Sequence, residues 1–265
     1  MTLIIGIKCS DGVVIGSDGA ASYVTPFGQT HTITQPMAKL GIIGDHFILG
    51  VSGPISLSQS YYHEIHNLVK ARNNQVPWKQ VLEARKAISA TFWGHAKIAW
   101  ERAQVVAQTT GAQAAIGEAL HSSVAAFPLS DNESHLLQLS HQCQCEEATT
   151  HLPFVAIGSG QPTADPFLAF IRRVFWSQSS PTLGDGIFAT LWALDYSIKA
   201  QPGGISEPIQ VVSLSKDANG KWKARQLSDD EIGTHREMIQ SVEGGLPDFA
   251  KRFFTQTPSD PIPMG

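Results

Sequence analysis

The chain has 265 residues, 42% of them hydrophobic and 16% charged, with 19 Lys+Arg against 23 Asp+Glu for a formal net charge of -4. That balance excludes a disordered chain, a collagen and a coiled coil, and it offers neither the basic footprint of a nucleic-acid binder nor a polybasic membrane patch. A chain of this length can bury a core without staples, and three cysteines, an odd number, make no disulfide framework.

In chain order, Thr2 to Cys9 reads as a strand, Ser10-Asp11-Gly12 as a turn and Val13 to Ser17 as the returning strand; Asp-Gly between apolar runs is a hairpin signal. A polar loop, Ser22 to Pro36, leads to a second pair, Lys39 to Ile43 and Phe47 to Val51, joined at Gly44-Asp45 and closed by Ser52-Gly53-Pro54. Two helices are predicted next: Ser56 to Ala71, then one starting near Pro77 and running to about Gln108. In the second, Trp78, Val81, Leu82, Ile88 and Phe92 recur at helical spacing. Strands follow at Ser122 to Leu129, His135 to Cys143 and Phe154 to Gly158, then helices near Asp165 to Gln178 and Gly186 to Ala200. A last hairpin, Ile209 to Leu214 and Trp222 to Leu227, turns at Asp217-Ala218-Asn219-Gly220. A closing helix begins at Ser228, with Glu231 completing a capping box. The tail Thr255 to Gly265, with three prolines, is expected to be mobile.

Strand pairs and helix pairs that do not alternate as βαβ units suit an α+β protein, with two stacked antiparallel sheets between helical layers. The expectation is one domain over 1–254 and a tail over 255–265. No basic-then-apolar leader opens the chain, and no run approaches the roughly 18 apolar residues of a spanning helix. A cytoplasmic, soluble protein without membrane or nucleic-acid partners is therefore expected.

Removing Met1 would leave Thr2 with a free α-amine beside its own hydroxyl, an arrangement that can activate a weak nucleophile. An α-amine titrates at about 7.7–8.0, so part of it is an unprotonated base near neutrality. The plainer alternative is that Thr2 is only a strand residue. Asp18 ends the second strand, Lys39 opens the third and Gly53 follows the fourth, so one sheet edge can gather all three near the N-terminus. A lysine ammonium held by a carboxylate would lower the pKa of nearby amine and hydroxyl, and a glycine N–H can face a developing oxyanion. Solvated strand ends are the plain account of both charges.

Thr2-Leu3-Ile4-Ile5-Gly6-Ile7-Lys8, Asp11-Gly12-Val13-Val14-Ile15-Gly16-Ser17-Asp18, Lys39, Val51-Ser52-Gly53 and Gly158-Ser159-Gly160 together resemble proteasome-type β subunits, which are N-terminal-nucleophile hydrolases. Among these the chain is most similar to bacterial proteasome homologues and, beside them, HslV-type peptidases. The resemblance implies a four-layer αββα sandwich assembled into rings around an inner chamber. It implies a threonine-type endopeptidase that cuts unfolded polypeptides without cofactor or metal, with room for an ATPase unfoldase as partner. Thr2 would be the nucleophile and its amine the base; Asp18 and Lys39 would form the supporting ion pair. Gly53 would donate to the oxyanion, Ser159 would bond to the amine region, and Val51 would floor an apolar pocket for the residue before the scissile bond.

Two departures qualify this. Aligning on Gly203-Gly204 places Lys199 and Pro202 where the family has an Asp and a Ser, and Gly19-Ala20-Ala21 replaces an Arg-containing segment. A catalytically weak or inactive ring assembly and a small-amide hydrolase using the same nucleophile are therefore the alternatives. Cys143 and Cys145, with His141 and His151 nearby, lack zinc-ligand spacing, and His63 and His66 do not form H-E-x-x-H. Gly158-Ser159-Gly160 lacks the lysine and glycine spacing of a phosphate loop.

Overall fold

The computed structural model describes residues 2–24, 30–33, 38–70, 77–111, 119–129, 133–200 and 204–255. Two compact units are found, Met1–Leu227 and Ser228–Gly265.

In the first unit, β1 (Ile4–Lys8) pairs with β2 (Gly12–Ser17) and β10 (Phe154–Ile157), while β11 (Gln210–Lys216) and β12 (Trp222–Gln226) continue the sheet on the other side of β2. The order is β10-β1-β2-β11-β12, antiparallel throughout. The second sheet runs in chain order through β5 (Leu40–Ile43), β6 (Phe47–Ser52), β7 (Ser122–Pro128), β8 (Ser134–Leu139) and β9 (Cys145–Glu147). Helices α1 (Ile55–Lys70) and α2 (Val81–Thr110) cover the second sheet; α3 (Gln161–Phe175) and α4 (Leu183–Ala200) cover the first. The sheets stack on each other, giving the expected α+β, four-layer αββα sandwich.

Burial on both faces explains the sequence of the central strands. Leu3, Ile4, Ile5 and Ile7 are all fully buried, because one face of β1 meets the second sheet and the other meets helices. A strand covered on both sides reads as a continuous apolar run. Between the sheets lie Ile4, Val13, Ile15, Ile48, Val124, Leu136 and Val212. Under α1 and α2, Phe47 stacks on Phe127 with ring centroids 5.4 Å apart, Trp78 tilts against both, and Tyr61 meets Phe92 edge-on. Such aromatic pairs add about 0.5–1.5 kcal/mol each beyond the area they bury.

Several boundaries differ from the sequence reading. Part of the expected loop Ser22 to Pro36 is a hairpin, β3 (Ala21–Val24) with β4 (Thr30–Ile33); β-branched Val24, Thr30, Thr32 and Ile33 favour extended backbone without an apolar run. The rest of that loop, 25–29 and 34–37, lies outside the described residues. Helix α2 starts at Val81, because Gln80 is extended (φ -130°, ψ 147°) and the Glu83 carboxylate reaches back to accept the Lys79 N–H at 3.0 Å. Gly111, left-handed at φ 73°, ends it by donating its N–H to Ala107 O. The strand expected through Cys143 stops at Leu139, and a turn with Cys143 at φ 60° leads into the short edge strand β9.

The second unit holds α5 (Asp229–Thr255). Its capping box forms reciprocally: Ser228 N–H donates to Glu231 Oε2 at 2.9 Å, and Glu231 N–H donates to Ser228 Oγ at 3.3 Å. The expected tail beyond Thr255 lies outside the described residues. No helix among the described residues is long and apolar enough to cross a membrane.

Candidate active site

Antiparallel pairing decides which residues meet at one end of the sandwich. Ile4 sits opposite Ser17, so the residue after β2 lies beside the residue before β1: Asp18 N–H donates to Leu3 O at 3.1 Å, and Leu3 N–H donates to Asp18 Oδ1 at 2.8 Å. In the other sheet Leu40 sits opposite Gly50, and Val51 N–H donates to Lys39 O at 3.3 Å. Stacking of the sheets then brings Lys39 Nζ to 2.7 Å from Asp18 Oδ1, with the side chains 4% and 0% exposed. The second carboxylate oxygen accepts N–H bonds from Ala20 at 3.1 Å and Ser206 at 3.4 Å. A buried carboxylate is tolerable only when paired and hydrogen-bonded in this way. Burial pushes the Lys39 ammonium below its ordinary pKa, and the attraction and hydrogen bond of Asp18 partly oppose that.

Thr2 is buried beside this pair, one residue from the Leu3 amide that Asp18 holds. Its N–H donates to Ser159 Oγ at 3.1 Å; its carbonyl accepts the Ser159 hydroxyl at 3.4 Å and the Gly160 N–H at 3.1 Å. Ile4 pairs with Ile157, which brings the turn after β10 alongside Thr2. Gly158 has φ +94°, and a Cβ there would stand 2.2 Å from Thr2 O. Gly53, beyond the end of β6, has φ +140°, and a Cβ there would stand 2.5 Å from His121 Cβ. Neither position accommodates a side chain.

A cavity of about 420 Å³ opens next to Lys39, lined by Leu40, Leu49, Val51, Ile55 and Tyr62 with Ser58, Gln59 and His63. Tyr62 is fixed by its hydroxyl, which donates to Ile42 O at 3.1 Å. A larger cavity, about 760 Å³, lies at the opposite strand ends, among Lys8, Asp11, Lys216 and Trp222. None of Thr2, Asp18, Lys39, Gly53 or Ser159 lines it, so the smaller cavity is the one joined to the chemistry.

Thr2, Asp18, Lys39 and Ser159 are thus linked by hydrogen bonds, directly or through Leu3. Lys199, expected near the nucleophile by alignment, instead has its ammonium 2.6 Å from Asp195 on the surface of α4. Pro202 lies outside the described residues. Sequence reading missed the Ala20 and Ser206 amides that complete the Asp18 shell, because backbone donors leave no residue-type signal. Among the described residues no group of three or more His, Cys, Asp or Glu could hold a metal ion.

No protein-family model matches the sequence, and no curated protein matches it. Solved structures do. The Gly-1 mutant of Anbu from Hyphomicrobium sp. strain MC1 is similar with a TM-score of 0.66 at 16% identity, over 99% of this chain and 100% of that one. Anbu, the ancestral beta-subunit, from Yersinia bercovieri gives 0.63 at 16% identity over 98% and 100%. The helical assembly of the Anbu complex from Pseudomonas aeruginosa gives 0.65 at 17% identity over 99% and 100%. At these identities the likeness is one of fold.

This corrects the placement beside bacterial proteasome homologues and HslV-type peptidases, since Anbu proteins are proteasome-like but a distinct family. The reason is physical. The segments that carried the resemblance are the β1–β2 hairpin and the residues Lys39, Gly53 and Ser159 at the Thr2 end of the strands, and they report the scaffold that gathers those ends.

Proposed function

We propose that this chain is a threonine-type peptidase that cleaves unfolded polypeptides inside a self-assembled oligomer, with Thr2, freed by removal of Met1, as nucleophile. The observation that carries the reading is the buried Asp18–Lys39 pair, bonded through Asp18 Oδ1 to the amide next to Thr2, while Ser159 holds the Thr2 nitrogen.

The chemistry follows from these positions. Thr2 Oγ attacks the scissile carbonyl carbon, and its proton passes to the Thr2 amine, through a water. The Lys39 ammonium favours the ionised hydroxyl and the unprotonated amine by its charge. Gly53 N–H donates to the oxyanion of the tetrahedral intermediate. Collapse breaks the C–N bond, the leaving amine takes the proton, and an ester on Thr2 remains. Water, deprotonated by the same amine, hydrolyses that ester and restores the hydroxyl. The cavity floored by Val51 would take the residue before the scissile bond, and its Leu40, Leu49, Ile55 and Tyr62 walls favour an apolar one.

Assembly is supported by large apolar side chains left exposed in the first unit, including Trp93 and Trp100 on α2 and Phe170 and Phe175 on α3. A second reading, an assembly with weak or no catalysis, is motivated by Lys199, which stands where the resembled family has an Asp and whose ammonium engages Asp195. Unfolded casein, fluorogenic peptides and small amides, each tested with the wild type and Thr2→Ala, separate these readings. The proposal expects cleavage of casein and peptides by the wild type and none by an assembled Thr2→Ala. Turnover retained in Thr2→Ala, or hydrolysis of small amides alone, contradicts it.

A further inference from the structure

Lys39 immediately precedes β5, which is an edge strand of the second sheet. Because Lys39 O accepts the Val51 N–H from β6, the alternation of an antiparallel ladder turns the N–H and C=O of the next residue, Leu40, away from β6. Among the described residues no strand lies on that side to receive them. Leu40 is 5% exposed, so water is a poor substitute, and a buried backbone group left without a partner is costly.

A single side chain from the other sheet meets both groups. Gln210 Oε1 accepts the Leu40 N–H at 3.3 Å, and Gln210 Nε2 donates to Leu40 O at 3.2 Å. The second Nε2 hydrogen goes to Gln226 Oε1 at 3.4 Å on the neighbouring strand. An amide is the only side chain that can offer one acceptor and two donors in this arrangement. The backbone of Gln210 meanwhile pairs with Ser17, the residue immediately before Asp18. One residue therefore holds the neighbour of Asp18 through its main chain and the neighbour of Lys39 through its side chain.

We infer that Gln210 is a positioning residue for the site: its carboxamide acts as a surrogate strand that fixes the start of β5 and so sets the Asp18–Lys39 contact between the two sheets. The catalytic consequence rests on the function proposed above; the positioning of Lys39 does not. Unlike the residues around Thr2, Gln210 touches none of the reacting atoms.

The test uses Gln210→Met, close in shape with neither donor nor acceptor, and Gln210→Glu, which keeps the acceptor for Leu40 N–H and loses the donor to Leu40 O. Two readouts are taken on the assembled protein: kcat and KM with an apolar fluorogenic peptide, and the pH dependence of Lys39 labelling by an amine-reactive reagent, located by mass spectrometry. Displacement of a catalytic group by an ångström can cost about a hundredfold, so Gln210→Met should lose about tenfold or more in kcat with KM nearly unchanged. Its Lys39 should label several-fold faster with a shifted pH midpoint, and Gln210→Glu should fall between it and the wild type. A purely structural glutamine would lower thermal stability while leaving kcat per folded enzyme and Lys39 labelling as in the wild type, and that result overturns the inference. If the wild type hydrolyses nothing, the proposed function fails, and labelling alone decides: faster in the variants sustains the role of Gln210, unchanged refutes it. Should Gln210→Met not fold, Gln210→Glu is read against the same criteria.

Discussion

Replacing Lys39 with methionine removes the ammonium while keeping most of the stem. Asp18 Oδ1 then loses its 2.7 Å donor and keeps the Leu3 N–H, while Oδ2 keeps Ala20 and Ser206. Breaking a buried ion pair by removing one partner costs about 3–5 kcal/mol. The three remaining amides place this site at the low end, about 3 kcal/mol, a fall in melting temperature of about 6–12 °C for a unit of this size. Chemical denaturation of wild type and Lys39→Met at one fixed protein concentration gives the difference directly. The pH dependence tests its origin. Lys39 is depressed below 10.5 in the folded protein, first by burial, so between the depressed value and 10.5 the unfolded chain binds more protons. Stability from this group therefore rises with pH through that window, and the variant has no such slope. The deficit of Lys39→Met should widen on the alkaline side. A deficit under about 1 kcal/mol refutes the buried-pair reasoning, and a deficit that narrows with pH shows that attraction by Asp18 outweighs burial.

Gly53→Ala would force an alanine to φ +140° and place its Cβ against His121 Cβ, so a loss of about 2 kcal/mol or more is expected by thermal unfolding. The same variant should lose at least about a hundredfold in kcat as the proposed oxyanion donor moves; wild-type turnover would remove Gly53 from the mechanism. Val51→Phe should fill the cavity beside Lys39 and lower kcat/KM about tenfold for peptides with a large apolar residue before the scissile bond, sparing those with alanine there. An equal loss for both peptide series would separate that cavity from substrate selection.

The scaffold was legible wherever local chemistry and burial agreed. Asp11-Gly12 between two apolar runs gives the β1–β2 hairpin, and the continuous run Leu3-Ile4-Ile5 marks a strand buried on both faces. Asp18 and Lys39 stand out as single charges at the ends of such strands, which is where the structure brings them within 2.7 Å. The β3–β4 hairpin was hidden because its threonines carry β propensity without hydrophobicity, and β9 because Cys145-Glu146-Glu147 has no apolar period. Gln210 could not be found from sequence at all. Its meaning depends on cross-sheet register, linking positions 40 and 210, and no local pattern encodes that. Family placement is out of reach for a related reason: the β1–β2 segment and a few strand-end residues report the scaffold, and the likeness to Anbu structures extends over 99% of the chain.

The proposed peptidase chemistry requires that a threonine freed at position 2 carry the acyl group. Mixing the purified assembly with a fluorogenic peptide, quenching in acid during turnover and sequencing the N-terminal fragment by tandem mass spectrometry addresses it most directly. The expected species is a chain that begins at Thr2, with the peptide acyl group esterified to the Thr2 hydroxyl. Hydrolysis by a chain that still carries Met1, or an acyl group found on any other residue, would contradict it.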